Sequence, residues 1–318
     1  MADIIQIPSC GGVQGTFNSG IPLCDVVRDI PLGLIGLDAG VGFTSGDRAS
    51  LSAFVAALKT KTRAARGSRA YPFFKLYNFE DKSKDATRAP LGNLSNTEGI
   101  VIDGIPSFSF QHRIGEIFHK KMLEAQNSGC TWMIVDKKYV VYGTLDGSLF
   151  RGYTPSEFYV GIAKFGTPSA FGFYPFEMTL SDITEYKENG RFIQCDSTLV
   201  GATGIRDVVL AQFSLASNVL KVSLTALGGK NLTDIYATEL AQAGAWDVKD
   251  SLGAAVTVSA AFDSANKVMA LTLSGTPWTG ASTGAAFTAN LVSPAALAAL
   301  SSPIDGYEST GAIAFNKP

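Results

Sequence analysis

Two histidines, His112 and His119, with Glu116 between them, are the residues whose types and spacing come nearest to a chemical site. On a helix, positions seven apart return to one face, so the pair could in principle share a metal ion. The i, i+4 spacing of a zincin is absent, and the expectation is a surface or partner-facing role instead. Nucleophilic catalysis needs an activated Ser or Cys beside a base, and with two histidines in the chain any triad would have to recruit one of them. Cys10-Gly11-Gly12-Val13-Gln14-Gly15 is glycine-rich but lacks the Gly-Lys-Ser/Thr ending of a phosphate loop. It reads as a loop or strand bend.

The paired carboxylates Asp25/Asp29 and Glu185/Glu188 come with no aromatic platform of the kind a sugar site needs. Lys59, Lys61, Arg63, Arg66 and Arg69 form a basic cluster without interleaved aromatics. Solvation and a favourable interaction with a helix C-terminus explain it as well as phosphate binding does. No enzyme, metal or cofactor is expected. Cys10, Cys24, Cys130 and Cys195 are too widely spaced for a CxxC motif and read as small buried hydrophobes.

One further stretch stands out. FEDKSKDATRAPLGNLSN, residues 79–96, mixes charges of both signs between the apolar segments YPFFKLY and GIVIDGIPSFSF. A long loop inside a compact domain is usually functional, and mixed charge favours complementary pairing over extension. Glu80, Asp81, Lys82, Lys84, Asp85, Arg88, Pro90 and Leu91 are therefore candidate subunit-interface residues, with Pro90-Leu91-Gly92 fixing a turn.

The elements that must carry these residues follow from periodicity. Leu51, Phe54, Val55 and Leu58 give residues 47–66 a helical stripe, with Asp47 or Ser45 as cap and Gly67 as stop. Ile114, Ile117, Phe118 and Met122 do the same for a second helix over 112–127. Trp132–Val135 and Tyr139–Tyr142 flank a short polar loop, and further strand-like runs lie at 157–165, 170–180 and 191–194. Beyond Arg206, the last arginine, alternation is cleaner: Leu220, Val222 and Leu224 face one way and Lys221, Ser223 and Thr225 the other. Residues 207–318 carry a net charge of -3 and residues 1–206 a net charge of +1.

A chain of 318 residues with 46% hydrophobic and 17% charged residues can bury a sizeable core and suits two domains. The fold expected is mainly β (α+β): an antiparallel sandwich or barrel-forming domain with two flanking helices over 1–206, an immunoglobulin-like β-sandwich over 207–304, and a C-terminal strand or tail over 305–318. The net charge of -2 gives no global drive toward nucleic acid or an anionic membrane. No apolar run reaches the length of a membrane span, and the N-terminal residues do not resemble a signal peptide, so synthesis in the cytosol is expected.

Trp246-Asp247-Val248, Gly253, Phe262-Asp263, Lys267 through Leu273, Pro294 through Leu297 and Gly306 through Ser309 together resemble immunoglobulin-like modules of bacterial and phage virion proteins. With the helix-flanked β domain and long early loop before it, the layout is similar to a tailed-phage tail-tube subunit. That resemblance implies a homo-oligomeric ring, often sixfold, whose sheets join edge to edge and whose rings stack into a conduit that passes DNA without sequence recognition. It further implies contacts with other virion proteins, residence in the virion after assembly in the host cytoplasm, and a long loop that reaches a neighbouring subunit or ring. A capsid or head-decoration protein, or a glycan-binding surface module, are the alternatives.

Overall fold

The computed structural model describes residues 4–5, 28–90, 98–126 and 128–318. The glycine-rich stretch 10–15, Cys10, Cys24, Asp25 and Leu91 lie outside them. The protein is mainly β, with antiparallel sheets and few helices. It divides into two compact units at Thr203/Gly204, with Arg63–Ala65 grouped with the second.

In the first unit the elements are β1 (Pro31–Leu37), α1 (Leu51–Thr62), β2 (Ala70–Phe73), β3 (Leu76–Asp81), β4 (Thr87–Pro90), β5 (Glu98–Ile102), β6 (Ser107–His112) and α2 (Glu116–Ala125). They continue with β7 (Thr131–Asp136), β8 (Val140–Asp146), β9 (Leu149–Arg151), β10 (Pro155–Val160), β11 (Tyr174–Leu180), α3 (Ile183–Lys187) and β12 (Gly190–Gln194). One sheet has the order β12-β8-β7-β1-β2, with β9 added to β8. A second has the order β10-β11-β6-β3, all antiparallel, and β4 pairs with β5 as a separate ribbon.

Both faces of the larger sheet are covered. Ile35, Leu37, Met133, Val135, Val141 and Ile193 share a core cluster with Phe54, Val55 and Leu58 of α1. Leu34, Trp132, Ile134, Tyr142 and Phe192 share another with Phe108, Phe110, Phe158 and Phe176 of the smaller sheet. Every residue of β7 is buried, which is why Trp132–Val135 reads as a continuous apolar run with no polar alternation. Each fully buried ring or branched side chain here contributes about 1.5–3 kcal/mol through removal from water.

Local chemistry sets the turns. Asp136 accepts from the backbone N–H of Lys138 at 2.8 Å and of Val140 at 2.9 Å, which closes the β7–β8 turn and lets Tyr139 sit at φ 62°. The first helix is capped by Ser50, whose Oγ accepts from Ala53 N–H at 3.1 Å, in place of the expected Asp47 or Ser45. Asp47 instead closes the preceding turn with Thr44. The helix ends at Thr62, five residues before Gly67, because Thr62 is buried and its hydroxyl turns back onto the Lys59 carbonyl at 2.7 Å.

The second unit contains β13 (Arg206–Ala216), β14 (Val219–Ala226), α4 (Leu232–Ile235), α5 (Ala237–Leu240), β15 (Trp246–Asp250), β16 (Thr257–Asp263) and β17 (Val268–Ser274). It closes with α6 (Thr276–Thr279), β18 (Ala286–Leu291), α7 (Pro294–Ala298), β19 (Tyr307–Ser309) and β20 (Ile313–Asn316). The sheet orders are β16-β17-β14-β13-β19 and β15-β18-β20, and one core cluster draws on both. Leu220, Val222 and Leu224 point into that core, as their alternation with polar residues requires. The one parallel pair between named strands, β13 with β19, sets Arg206 opposite Tyr307. Residues 305–318 thus supply strands to both sheets, and Ile313–Asn316 pairs with β18 of the same chain.

Candidate assembly interface

The β3–β6 connection carries the mixed-charge stretch, and residues 79–81 and 87–90 of that stretch are strand. Glu80 and Asp81 lie on β3, Arg88 and Pro90 on β4, and only Lys82 to Ala86 join the two strands. Lys82 and Lys84 continue the ladder beyond β3, donating to the carbonyls of Ser107 and Ile105. Gly104 lies so close to this strand that a Cβ there would meet the Lys84 carbonyl oxygen at 2.1 Å. Absence of a side chain at 104 is what lets the base of the ribbon close.

Glu80, Asp81, Lys82, Lys84, Asp85 and Arg88 are all exposed. Lys82 Nζ pairs with Glu177 Oε1 on β11 at 2.5 Å, and hydrogen bonding to that carboxylate raises the Lys82 pKa. Across the ribbon base, Lys187 donates to Asp103 at 2.7 Å and holds that carboxyl below its ordinary range. The first pair links the base to β11 of the smaller sheet and the second links it to the end of α3. Ile100 and Ile102 on β5 and Ile105 after it are exposed, at 60%, 59% and 48%, a feature the charge-based reading of this stretch missed. Isoleucines in strand-forming GIVIDGI were the available signal.

The smaller sheet has two outer strands, β3 and β10. Among the described residues no strand pairs with the second edge of either. Tyr77, Asn78, Glu80 and Asp81 of β3 are exposed. A groove of about 320 Å³ lines β10, with Ser156, Glu157 and Phe158 on one side and Gln126, Gly129 and Cys130 on the other. Gln126 at the end of α2 reaches across to accept from Val160 N–H at 3.3 Å.

The histidines are not on the surface. His112 ends β6 and His119 lies on α2, and both are buried, with 0% and 5% exposure. The second helix therefore begins at Glu116, later than periodicity suggested, and turns His119 and Met122 inward while Ile114 and Ile117 stay largely exposed. The polar atoms form one chain. Ile114 N–H lies 3.3 Å from His112 Nδ1, His112 Nε2 lies 3.3 Å from His119 Nδ1, and His119 Nε2 lies 2.8 Å from the Gly161 carbonyl. A carbonyl can only accept, so His119 carries its proton on Nε2 and His112 donates from Nε2. Burial, and secondarily the neighbouring His119, pushes the His112 pKa down from 6.5 to about 4. No group of three or more His, Cys, Asp or Glu able to hold a metal occurs among the described residues.

Other candidate chemistry disperses. Glu185 is buried and bound by Arg151 at 2.8 Å and by Thr154 N–H at 2.7 Å, whereas Glu188 is exposed, so the two do not act as a carboxylate pair. Arg69 is buried and Lys61 pairs with Asp47 at 3.6 Å, which breaks up the basic cluster. Cys130 and Cys195 are buried, and burial raises both thiol pKa values. Gly280-Ala281-Ser282-Thr283-Gly284 has the Gly-x-Ser-x-Gly form, but it joins a helical turn to a strand, the reverse of a nucleophile elbow. No helix among the described residues is long and apolar enough to cross a membrane.

Compared with known proteins, the chain matches no family model, no curated protein and no solved structure.

Proposed function

We infer that this chain is a structural subunit of a phage virion, specifically of the tail tube, and not an enzyme. It assembles into rings, six-membered in the reading we favour, which stack into a conduit for DNA and contact other virion proteins. The second unit is an immunoglobulin-like sandwich carried on the assembly as decoration. The observation that carries this reading is the four-stranded sheet. Its outer strands β10 and β3 run in opposite directions, because three antiparallel steps separate them. A copy of β3 laid against β10 of its neighbour would continue the antiparallel alternation, and repetition around a ring would remove both open edges. The mixed-charge stretch beside β3 would lie at that junction.

Electron microscopy of the purified protein in negative stain tests the reading. Hollow tubes or closed rings are expected. Closed shells, or a chain that stays monomeric at all concentrations, would sink it.

A further inference from the structure

The β10–β11 hairpin runs on past its named strands. Lys164 and Phe173 exchange backbone hydrogen bonds at 2.9 and 3.1 Å, and Thr167 and Ala170 do so at 2.6 and 3.2 Å, around a Pro168-Ser169 turn. A Cβ on Gly172 would meet the Lys164 carbonyl oxygen at 2.7 Å, so this extension depends on a close backbone approach. On it, Ile162, Phe165 and Phe171 are 77%, 98% and 75% exposed. Arg113 lies over the Tyr77 ring at 3.3 Å and near the Phe171 ring at 4.9 Å, which anchors one of these side chains to β3. A hydrogen-bonded strand pair presenting aromatic and arginine side chains to water has the composition of an interface centre.

The register fixes where this tip lies relative to the β4–β5 ribbon. Tyr174 and Leu76 both pair with His112, so the tip leaves the sheet at the end where β6 finishes. Thr179 pairs with Ser107 and Asp81 with Phe108, so the ribbon leaves from the opposite end. One antiparallel sheet thus has an apolar projection at each end: phenylalanines at one, and Ile100, Ile102 and Ile105 at the other. Lys75, Arg113 and Lys164 flank the tip. Glu80, Asp81 and Asp85 stand at the ribbon end beside Lys84 and Arg88, with Lys82 held by Glu177.

We propose that the hairpin tip at Ile162, Phe165 and Phe171 docks on the isoleucine ribbon of a second copy of this chain, in a head-to-tail contact that joins copies along the strand direction. The apolar side chains would cover one another, and the cations of the tip would meet the carboxylates beside β3. Because the two patches are different surfaces, the contact is heterologous, and it repeats without closing on itself. This deepens the tube reading by naming the stacking contact between successive rings.

The test uses three full-length proteins: wild type, Phe165→Ser/Phe171→Ser, and Ile100→Ser/Ile102→Ser, followed by analytical ultracentrifugation and electron microscopy. All substituted side chains are exposed, so each variant should melt as the wild type does. Each variant alone should associate along the axis at least roughly tenfold more weakly than wild type. Mixed as preformed rings, they should stack in pairs, one ring of each variant, through the intact tips of one and the intact ribbons of the other, and stop there. Tubes of normal length from the phenylalanine variant would overturn the stacking contact and leave the tube reading standing. Open head-to-tail filaments from a wild type that never forms rings would sink the tube reading and leave the contact standing. Loss of wild-type binding to phosphatidylcholine–phosphatidylglycerol vesicles in the phenylalanine variant, with unchanged self-association, would show that the tip meets a lipid surface and overturn the proposal.

Discussion

His112 Nε2 lies 3.3 Å from His119 Nδ1, between a backbone N–H that fixes one end of the chain and a carbonyl that fixes the other. The arrangement is complete only while His112 is neutral. Protonating His112 Nδ1 would set a donor against the Ile114 N–H, within rings of Tyr174, Phe118 and Phe176 that offer no counter-charge. The folded-state pKa of about 4 lies below the ordinary 6.5, so the unfolded chain binds more protons between those values. This group's contribution is therefore full above about pH 6.5 and lost as pH falls toward about 4. The loss should be ~2 kcal/mol after allowance for solvent screening. His112→Phe keeps the stack on Tyr174 without the titration. The melting temperature of the wild type should fall relative to that of the variant as pH drops from 7 to 4, and parallel curves would refute this account.

Lys82 and Glu177 are both exposed, so their short contact is worth little to the isolated chain. Lys82→Ala should change stability by less than ~1 kcal/mol. Any loss of assembly by this variant then reports on the interface and not on folding. A fall in melting temperature of more than a few degrees would instead make the pair part of the fold's own framework.

The sequence was most legible where one physical demand acted alone. The alternation of Leu220, Val222 and Leu224 answers to a single core, and the 51–58 stripe to a single sheet face. It was less legible where two demands met. Of the stripe Ile114, Ile117, Phe118 and Met122, Met122 is buried as expected, but Ile114 and Ile117 are exposed and His119 is buried instead, because the histidine pair and its aromatic stack need an enclosed place beside β6. GIVIDGI reads only as an apolar segment, since alternation says which residues share a face and not whether anything covers Ile100 and Ile102. Charge drew attention to Glu80 through Arg88, yet pairing, not charge, settled their form: Glu80, Asp81, Thr87 and Arg88 are strand. The exposed phenylalanines of the β10–β11 tip look in sequence like any buried strand end.

Gly104 bears on the same ribbon. Gly104→Ala would push a methyl carbon against the Lys84 carbonyl and open the ribbon base, at a cost of ~1–3 kcal/mol. The damage should stay local, since the ribbon pairs with neither large sheet. Trypsin should cut faster at Lys82, Lys84 or Arg88, with the melting temperature of the rest within a few degrees of wild type. Unchanged cleavage would mean that the base tolerates the methyl group by a small backbone shift.

Phe176 tests whether the two sheets of the first unit depend on one another. It is fully buried, stacks on Phe110 within its own sheet at 5.1 Å, and meets Phe73 of the other sheet edge-on at 6.1 Å. Phe158 beside it stacks on Trp132 of the larger sheet at 4.5 Å, so Phe176 occupies the centre of an aromatic layer held from both sides. Phe176→Ala removes the ring from a place that cannot collapse, because its neighbours are fixed by two sheets. The cost should be ~3–5 kcal/mol, and Phe176→Met, which fills most of the space without the ring contacts, should cost less. Denaturant unfolding of both variants measures the difference. A loss below about 1 kcal/mol for the alanine variant would mean that the smaller sheet moves independently of the larger one, and so could not hold its edge strands in register for a neighbour.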